Sequence, residues 1–198
     1  MESDHSPMPR GAGKSSFELI EAGKLFQVLA LKPWYTVLDM GSGTGTYSLA
    51  MAKIIGGGGC VYAADLWEEG TARLQERIER RDEKNVRPIL ADVSKTLPLP
   101  GDSMDLILMA TVLHDLKEAD VQDGALTEAR RLLKSHGVFA VVEFTKVPGP
   151  PGPPISIRLS PDEVTALVEP FGFTRTGLQE IGPYNYLMTF VPRDVCNA

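Results

Sequence analysis

Cysteine is scarce in this chain. Only Cys60 and Cys196 occur, too few and too far apart for a disulfide framework or a metal-ligand spacing. No metal site is expected, and the thiol usage suits a reducing compartment, the cytoplasm. The sequence shows no charged-then-apolar leader and no run of about 18 apolar residues, so neither secretion nor a membrane span is expected. Positive charge is also short. Twenty Lys and Arg face 26 Asp and Glu, a formal net charge of −6 that gives no general attraction to phosphate backbones, and a nucleic-acid substrate is not expected. At 198 residues, 43% hydrophobic and 23% charged, the chain is long enough for one well-cored domain and short for two. A homodimer stays open.

The richest stretch is Val37-Leu38-Asp39-Met40-Gly41-Ser42-Gly43-Thr44-Gly45, an apolar run meeting an acid and then three glycines on alternate positions. It reads as a strand turning into a helix that starts at Thr46 and runs to Ile55. Glycine has no Cβ and tolerates positive φ, so such a turn brings backbone close to a ligand beside the unsatisfied N–H groups of a helix start. The dinucleotide fingerprint needs its third glycine five places after the first, where Thr46 stands. Asp39 would repel a pyrophosphate and suits a ligand with a cationic amino group. A second glycine cluster, Gly11-Ala12-Gly13-Lys14-Ser15, has Met8 where a P-loop needs its first glycine, and reads as a loop, a helix cap or an arm that closes over a ligand.

The run from Val37 to Gly45 resembles motif I of the class I S-adenosylmethionine (SAM) dependent methyltransferases, and further elements follow in register. Cys60 to Asp65 resembles the second strand, whose terminal acid holds the ribose hydroxyls in this family; a carboxylate is the natural acceptor for two neighbouring hydroxyls. Arg87 to Val93 resembles the third strand with its adenine-side acid Asp92. Met104 to Ala110, then Thr111 to Leu116, resemble the fourth strand and its loop, and Ala129 to Val138 the helix-to-strand step before the fifth. The resemblance implies an α/β, doubly wound, mostly parallel seven-stranded sheet with helices on both faces and a C-terminal β-hairpin giving one antiparallel strand. Within the family it points to the small-molecule group that includes the ubiquinone and menaquinone C-methyltransferases.

Around this core, residues 1–15 are expected to form a mobile arm, 16–192 the domain and 193–198 a tail. Phe17, Leu19, Ile20, Leu25, Phe26 and Leu29 recur at helical spacing, with Ser15 or Ser16 available as cap. Arg73 to Lys84 predicts a solvated helix with intrahelical ion pairs. Two prolines between Asp92 and Asp105 predict a loop rather than a helix in the third crossover. Val147 to Pro154 predicts a stiff extended connection that rims the acceptor pocket. Ser160-Pro161-Asp162-Glu163 is a capping box with proline at the first helical position. Phe173 to Ile181 and Tyr186 to Val191 read as the hairpin.

The implied cofactor is SAM, with S-adenosylhomocysteine (SAH) as product, and the implied partner is a small-molecule acceptor. The implied cofactor-binding residues are Asp39, Gly41, Ser42, Gly43 and Gly45 around the first turn, Asp65 and Leu66 after the second strand, Asp92 and Val93 after the third, and Ala110 at the end of the fourth. Asp39 and Asp92 can equally serve as turn or helix caps. A sulfonium methyl is already a strong electrophile, so few catalytic groups are needed. His114-Asp115 is the one pair near the expected acceptor side able to move a proton, against the alternative of a packing histidine. His5 and His136 read as bystanders, the latter at a helix end. The Asn-Pro-Pro-Tyr loop of adenine and glutamine N-methyltransferases is absent at Ala110 to Leu113, and two cysteines cannot furnish an arsenic methyltransferase site. Ala110-Thr111 replaces the asparagine often found after the fourth strand in this family. The competing class is a SAM- or SAH-binding protein without catalysis; a dehydrogenase or a P-loop enzyme is a weaker third.

Overall fold

A computed structural model describes residues 13–193. The expected arm and tail therefore lie mostly outside the described residues, as do His5 and Cys196. The elements follow in the order α1 (Ala22–Leu29), β1 (Thr36–Met40), α2 (Thr46–Ile55), β2 (Cys60–Asp65), α3 (Glu68–Arg81), β3 (Val86–Leu90), β4 (Met104–Ala110), α4 (Leu113–Glu118), α5 (Gln122–Leu132), β5 (Leu133–Phe144), α6 (Pro161–Val168), β6 (Phe173–Glu180) and β7 (Asn185–Pro192). They build one seven-stranded sheet in the order β3-β2-β1-β4-β5-β7-β6. β1 to β5 pair in parallel, and β7 runs antiparallel to both its neighbours.

The strands are apolar because helices cover both faces of a parallel sheet. β4 is buried along its whole length. Two apolar clusters follow, one on each face: Met40, Ile107, Phe139 and Phe190 belong to one, and Val37, Leu106, Leu108 and Ala140 to the other. The order reverses between β1 and β4. Successive connections leave from the carboxyl ends of these two strands in opposite directions, which opens a crevice where ligands of open α/β sheets bind.

Local signals hold where they are self-contained. The capping box at Ser160 is formed, with Ser160 Oγ accepting from Glu163 N–H and the Glu163 carboxylate accepting from Ser160 N–H. The β3–β4 connection contains no helix. In α3, Leu74 and Ile78 are buried and Arg73 pairs with Glu69 one turn away. Other expectations are overturned by longer-range partners. The helix predicted from Ser16 divides into a 3-10 turn, Phe17–Leu19, and α1, because Ile20 is extended and Glu21 N–H donates to the carbonyl of Ile181 in the distant hairpin. His136 lies within β5 rather than at a helix end. The third strand stops at Leu90, leaving Asp92 in the turn beyond it.

Candidate active site

The loop after β1 is held from below and from the side. Gly41 and Ser42 N–H donate to the carbonyl of Ala64 on β2, Gly45 N–H donates to Ser42, and Arg77 of α3 donates to the carbonyl of Thr44 at 2.6 Å. The three glycines do different jobs. Gly43, at φ +54°, has nothing within 4 Å of the position a Cβ would take, so its bare backbone faces the open crevice. A Cβ on Gly41 would strike Val112, and one on Gly45 would strike Leu74. The close approach expected at Gly41 and Gly45 is thus made by the protein's own side chains.

Asp65 joins this loop to β2. Its Oδ2 accepts from Gly43 N–H at 2.7 Å and its Oδ1 from Trp67 N–H at 2.8 Å. Two cavities meet at this carboxylate, sharing Gly41, Asp65, Val112 and Asp115. The larger, about 500 Å³, is lined by Leu66, Asp92, Val93, Leu116 and Glu118 among others. The smaller, about 90 Å³, is walled by Ser42, Gly43, Tyr47 and Trp67, by Ala110 and Thr111, and by the segment Gly13 to Ser16. Of the ten residues expected around the cofactor, the structure brings Gly41, Ser42, Gly43, Asp65, Leu66, Asp92, Val93 and Ala110 onto these walls. Asp92 also works as a turn residue, its Oδ1 accepting from both Ser94 N–H and Ser94 Oγ–H.

Asp39 departs from expectation. It is 1% exposed, lines neither cavity, and accepts from Ser48 Oγ at 2.5 Å behind the glycine loop. Burial pushes its carboxyl up to about 7, against the hydrogen bond from Ser48 and with a further push from the charge of Asp65.

His114 departs further. The ring is buried, 4% exposed, and lines neither cavity. Its Nδ1 lies 2.8 Å from one oxygen of Glu143 and 3.0 Å from the other, and its backbone N–H donates to the same carboxylate at 3.1 Å. Burial pulls the imidazole's pKa down, but the hydrogen bond and charge of Glu143, with Asp115 adding, outweigh it and raise the value, while Arg158 opposes them. With Nδ1 on Glu143 and Nε2 toward Asp115, the buried ring stands apart from both cavities. Asp115 does line both cavities, with an oxygen 3.6 Å from His114 Nε2.

Several site residues escape sequence reasoning. Ser16 is a buried link, not a helix cap: its Oγ lies 2.9 Å from the Tyr47 hydroxyl and 3.1 Å from Thr111 Oγ1. Thr111 sits in the left-handed region at φ +57°, a strained place for a β-branched residue, directly after β4 where the smaller cavity opens. Glu143 is wholly buried near the carboxyl end of β5, directly after the apolar run Val138 to Val142. The proline-rich stretch 147–154 is not an extended rim; it wraps the Arg158 guanidinium and lines neither cavity. No helix among the described residues is long and apolar enough to cross a membrane.

Known proteins resemble this chain in sequence and fold. Over 131 residues the chain is 34% identical to a ubiquinone/menaquinone biosynthesis C-methyltransferase UbiE of Paraburkholderia phytofirmans, covering 65% of this chain and 52% of that protein. The chain thus spans about half the length of the curated relatives it matches. A SAM-dependent methyltransferase of Aquifex aeolicus superposes with a TM-score of 0.82 at 30% identity, covering 89% of this chain and 92% of that one. The fold also matches a Burkholderia thailandensis 1,6-didemethyltoxoflavin-N1-methyltransferase solved with S-adenosylhomocysteine, at TM-score 0.66 and 23% identity over 88% of this chain and 77% of that one. A family model described as a methyltransferase domain matches residues 37–137, half of the sequence. With the glycine loop, the β2 acid and the switch-point crevice all in their places, this chain belongs to the class I SAM-dependent methyltransferases.

Proposed function

We propose that this protein transfers the methyl group of SAM to a small-molecule acceptor whose nucleophilic atom arrives already activated. The observation that carries the reading is Asp65, which bonds the glycine loop and the start of α3 together and faces both cavities at once. A carboxylate has about four acceptor sites, so two N–H bonds leave capacity for a ribose diol. Gly43 leaves room for the ligand's tail, and Leu66, Asp92 and Val93 border the larger cavity where the adenine would lie. Asp39 acts from behind the loop, by its field rather than by contact. The SAM cofactor, when bound, supplies a methyl on a sulfonium, an electrophile that needs alignment more than acid catalysis.

This chain's residues orient and enclose. The Gly13 to Ser16 segment covers the smaller cavity, and Ala110 with Thr111 forms its floor at the end of β4. With the His114 ring buried and lining neither cavity, proton removal from the acceptor is no part of its work. A phenolate, an enolate or another soft nucleophile fits; a nucleic-acid backbone does not, since Asp65, Asp92, Asp115 and Glu118 line the crevice.

Calorimetry with SAH and with NAD tests the reading. SAH is expected to bind, and NAD to give no heat at the same concentration; tighter binding of NAD would sink the proposal. Gly43→Val should abolish SAH binding while costing only about 1–2 kcal/mol of stability, the strain of a branched residue at positive φ. Retained binding in that variant would move the ligand elsewhere. Label from methyl-labelled SAM should then appear in a product when the enzyme is given a metabolite extract; SAH binding without any labelled product would leave the silent cofactor-binding reading.

A further inference from the structure

We infer that Lys14 anchors the carboxylate of the cofactor's amino-acid tail, presented by a segment that Ser16 pins over the smaller cavity. The inference rests on the cofactor reading above. Three observations carry it.

The first is charge. The larger cavity is lined by Asp65, Asp92, Asp115 and Glu118, and the smaller by Asp65, Asp115 and Lys14. Among the described residues that line either cavity, Lys14 is the one cation. The tail of SAM ends in an ammonium and a carboxylate. Acids suit the ammonium and the sulfonium, but an anion placed among them needs a countercharge or donors.

The second is that the glycine loop has few donors left to give. Gly41 and Ser42 N–H are taken by Ala64, Gly43 N–H by Asp65, and Gly45 N–H by Ser42. No ion pair joins Lys14 to another described residue, so its ammonium carries no competing commitment.

The third is placement. Ser16, two residues on, is buried with its hydroxyl shared between Tyr47 at 2.9 Å and Thr111 at 3.1 Å, and the next residue, Phe17, meets the Tyr47 ring edge-on at a centroid distance of 5.0 Å. On the other side, a Cβ on Gly13 would lie 3.5 Å from the Trp67 ring. The segment is thus held at its Ser16 end and passes beside Trp67 at Gly13, with Lys14 between, and all of Gly13 to Ser16 lines the smaller cavity. Lys14 is exposed and lines the smaller cavity, and its ammonium is a point charge, the form in which lysine binds oxyanions.

The test compares SAM with decarboxylated SAM, which keeps the sulfonium, the ammonium and the adenosine and lacks only the carboxylate. Binding is measured on the full chain by calorimetry. The parent should bind SAM more tightly than the decarboxylated form. Lys14→Met should weaken SAM binding by roughly tenfold, the scale of one charge-assisted hydrogen bond, and leave decarboxylated SAM unchanged. Lys14→Arg should keep most of the SAM affinity. An unchanged SAM affinity in Lys14→Met overturns the inference, and so does an equal loss for both ligands, which would make Lys14 a general part of the cover. A parent that binds neither ligand overturns the cofactor reading instead, and the inference with it.

Discussion

Replacing Arg158 by Met should destabilise the protein by about 3 kcal/mol and lower its melting temperature by roughly 6–12 °C, through loss of donors to buried carbonyls. The side chain is buried, 2% exposed, and all its donor groups end on backbone oxygens. Nε donates to Pro153 at 2.9 Å, Nη1 to Thr145 and Val147 at 3.1 and 2.8 Å, and Nη2 to Gly149 and Pro151 at 2.6 and 2.9 Å. The acceptors are every second residue from Thr145 to Pro153. Five of the eight residues from Val147 to Pro154 are prolines, which have no N–H, so this stretch cannot satisfy its own carbonyls. One planar guanidinium with five N–H groups does it instead, packed against the Phe144 ring at 5.7 Å. Lysine has three donors on a point, so Arg158→Lys should lose about half as much. Denaturant unfolding of the two variants decides it. A Met variant within about 0.5 kcal/mol of the parent, the scatter of ordinary surface changes, would show that water replaces the arginine.

Glu143→Gln should cost about 3–5 kcal/mol at neutral pH, the range for breaking a buried charge pair from one side, and should also flatten the dependence of stability on pH. The proton on His114 is favoured in the folded protein because the pull of Glu143 and Asp115 exceeds the effects of burial and of Arg158. A folded pKa raised above the unfolded value of about 6.5 adds stability that is fully present below that value and is lost as pH climbs through the raised one. The parent should therefore weaken on the alkaline side. With glutamine at this position the charge of Glu143 is gone and only Asp115 still opposes burial, so the fold holds the proton on His114 less strongly. Asp39, raised to about 7, contributes loss of the same sign, and it remains in the variant. The difference between the two stability curves from pH 6 to 9 thus isolates His114. Parallel curves would mean that Glu143 does not govern its proton.

This pair also explains why the histidine misleads in the sequence. His114 follows the fourth strand near the acceptor side, which is where a base would stand, and nothing within the local run indicates that its partner is 29 residues away on β5. Glu143 itself is hidden among apolar neighbours, Val141, Val142 and Phe144. A lone acid inside such a run is the available signal, since a buried carboxylate requires a partner. The proline-rich stretch behaves likewise: its stiffness is legible, but the arginine that folds it lies beyond its end.

The sequence by itself determines the strands, their turn residues and the acids that close them, because each signal lies within a few consecutive residues: Asp39 and three glycines after one apolar run, Asp65 after the next, Asp92 after the third. A parallel sheet with a crevice at those strand ends follows from that punctuation. Only the tertiary structure decides which groups face the crevice and which face inward. Asp39 and Asp65 both end apolar runs, yet one is sealed under Ser48 and the other bridges the glycine loop and α3 at the crevice. Ser16 is fixed by Thr111, 95 residues away, and so the segment carrying Lys14 is set across the mouth. The physical reason is common to all of them: a polar group taken out of water must find its partner wherever the fold brings one, and that partner is rarely a neighbour in the chain.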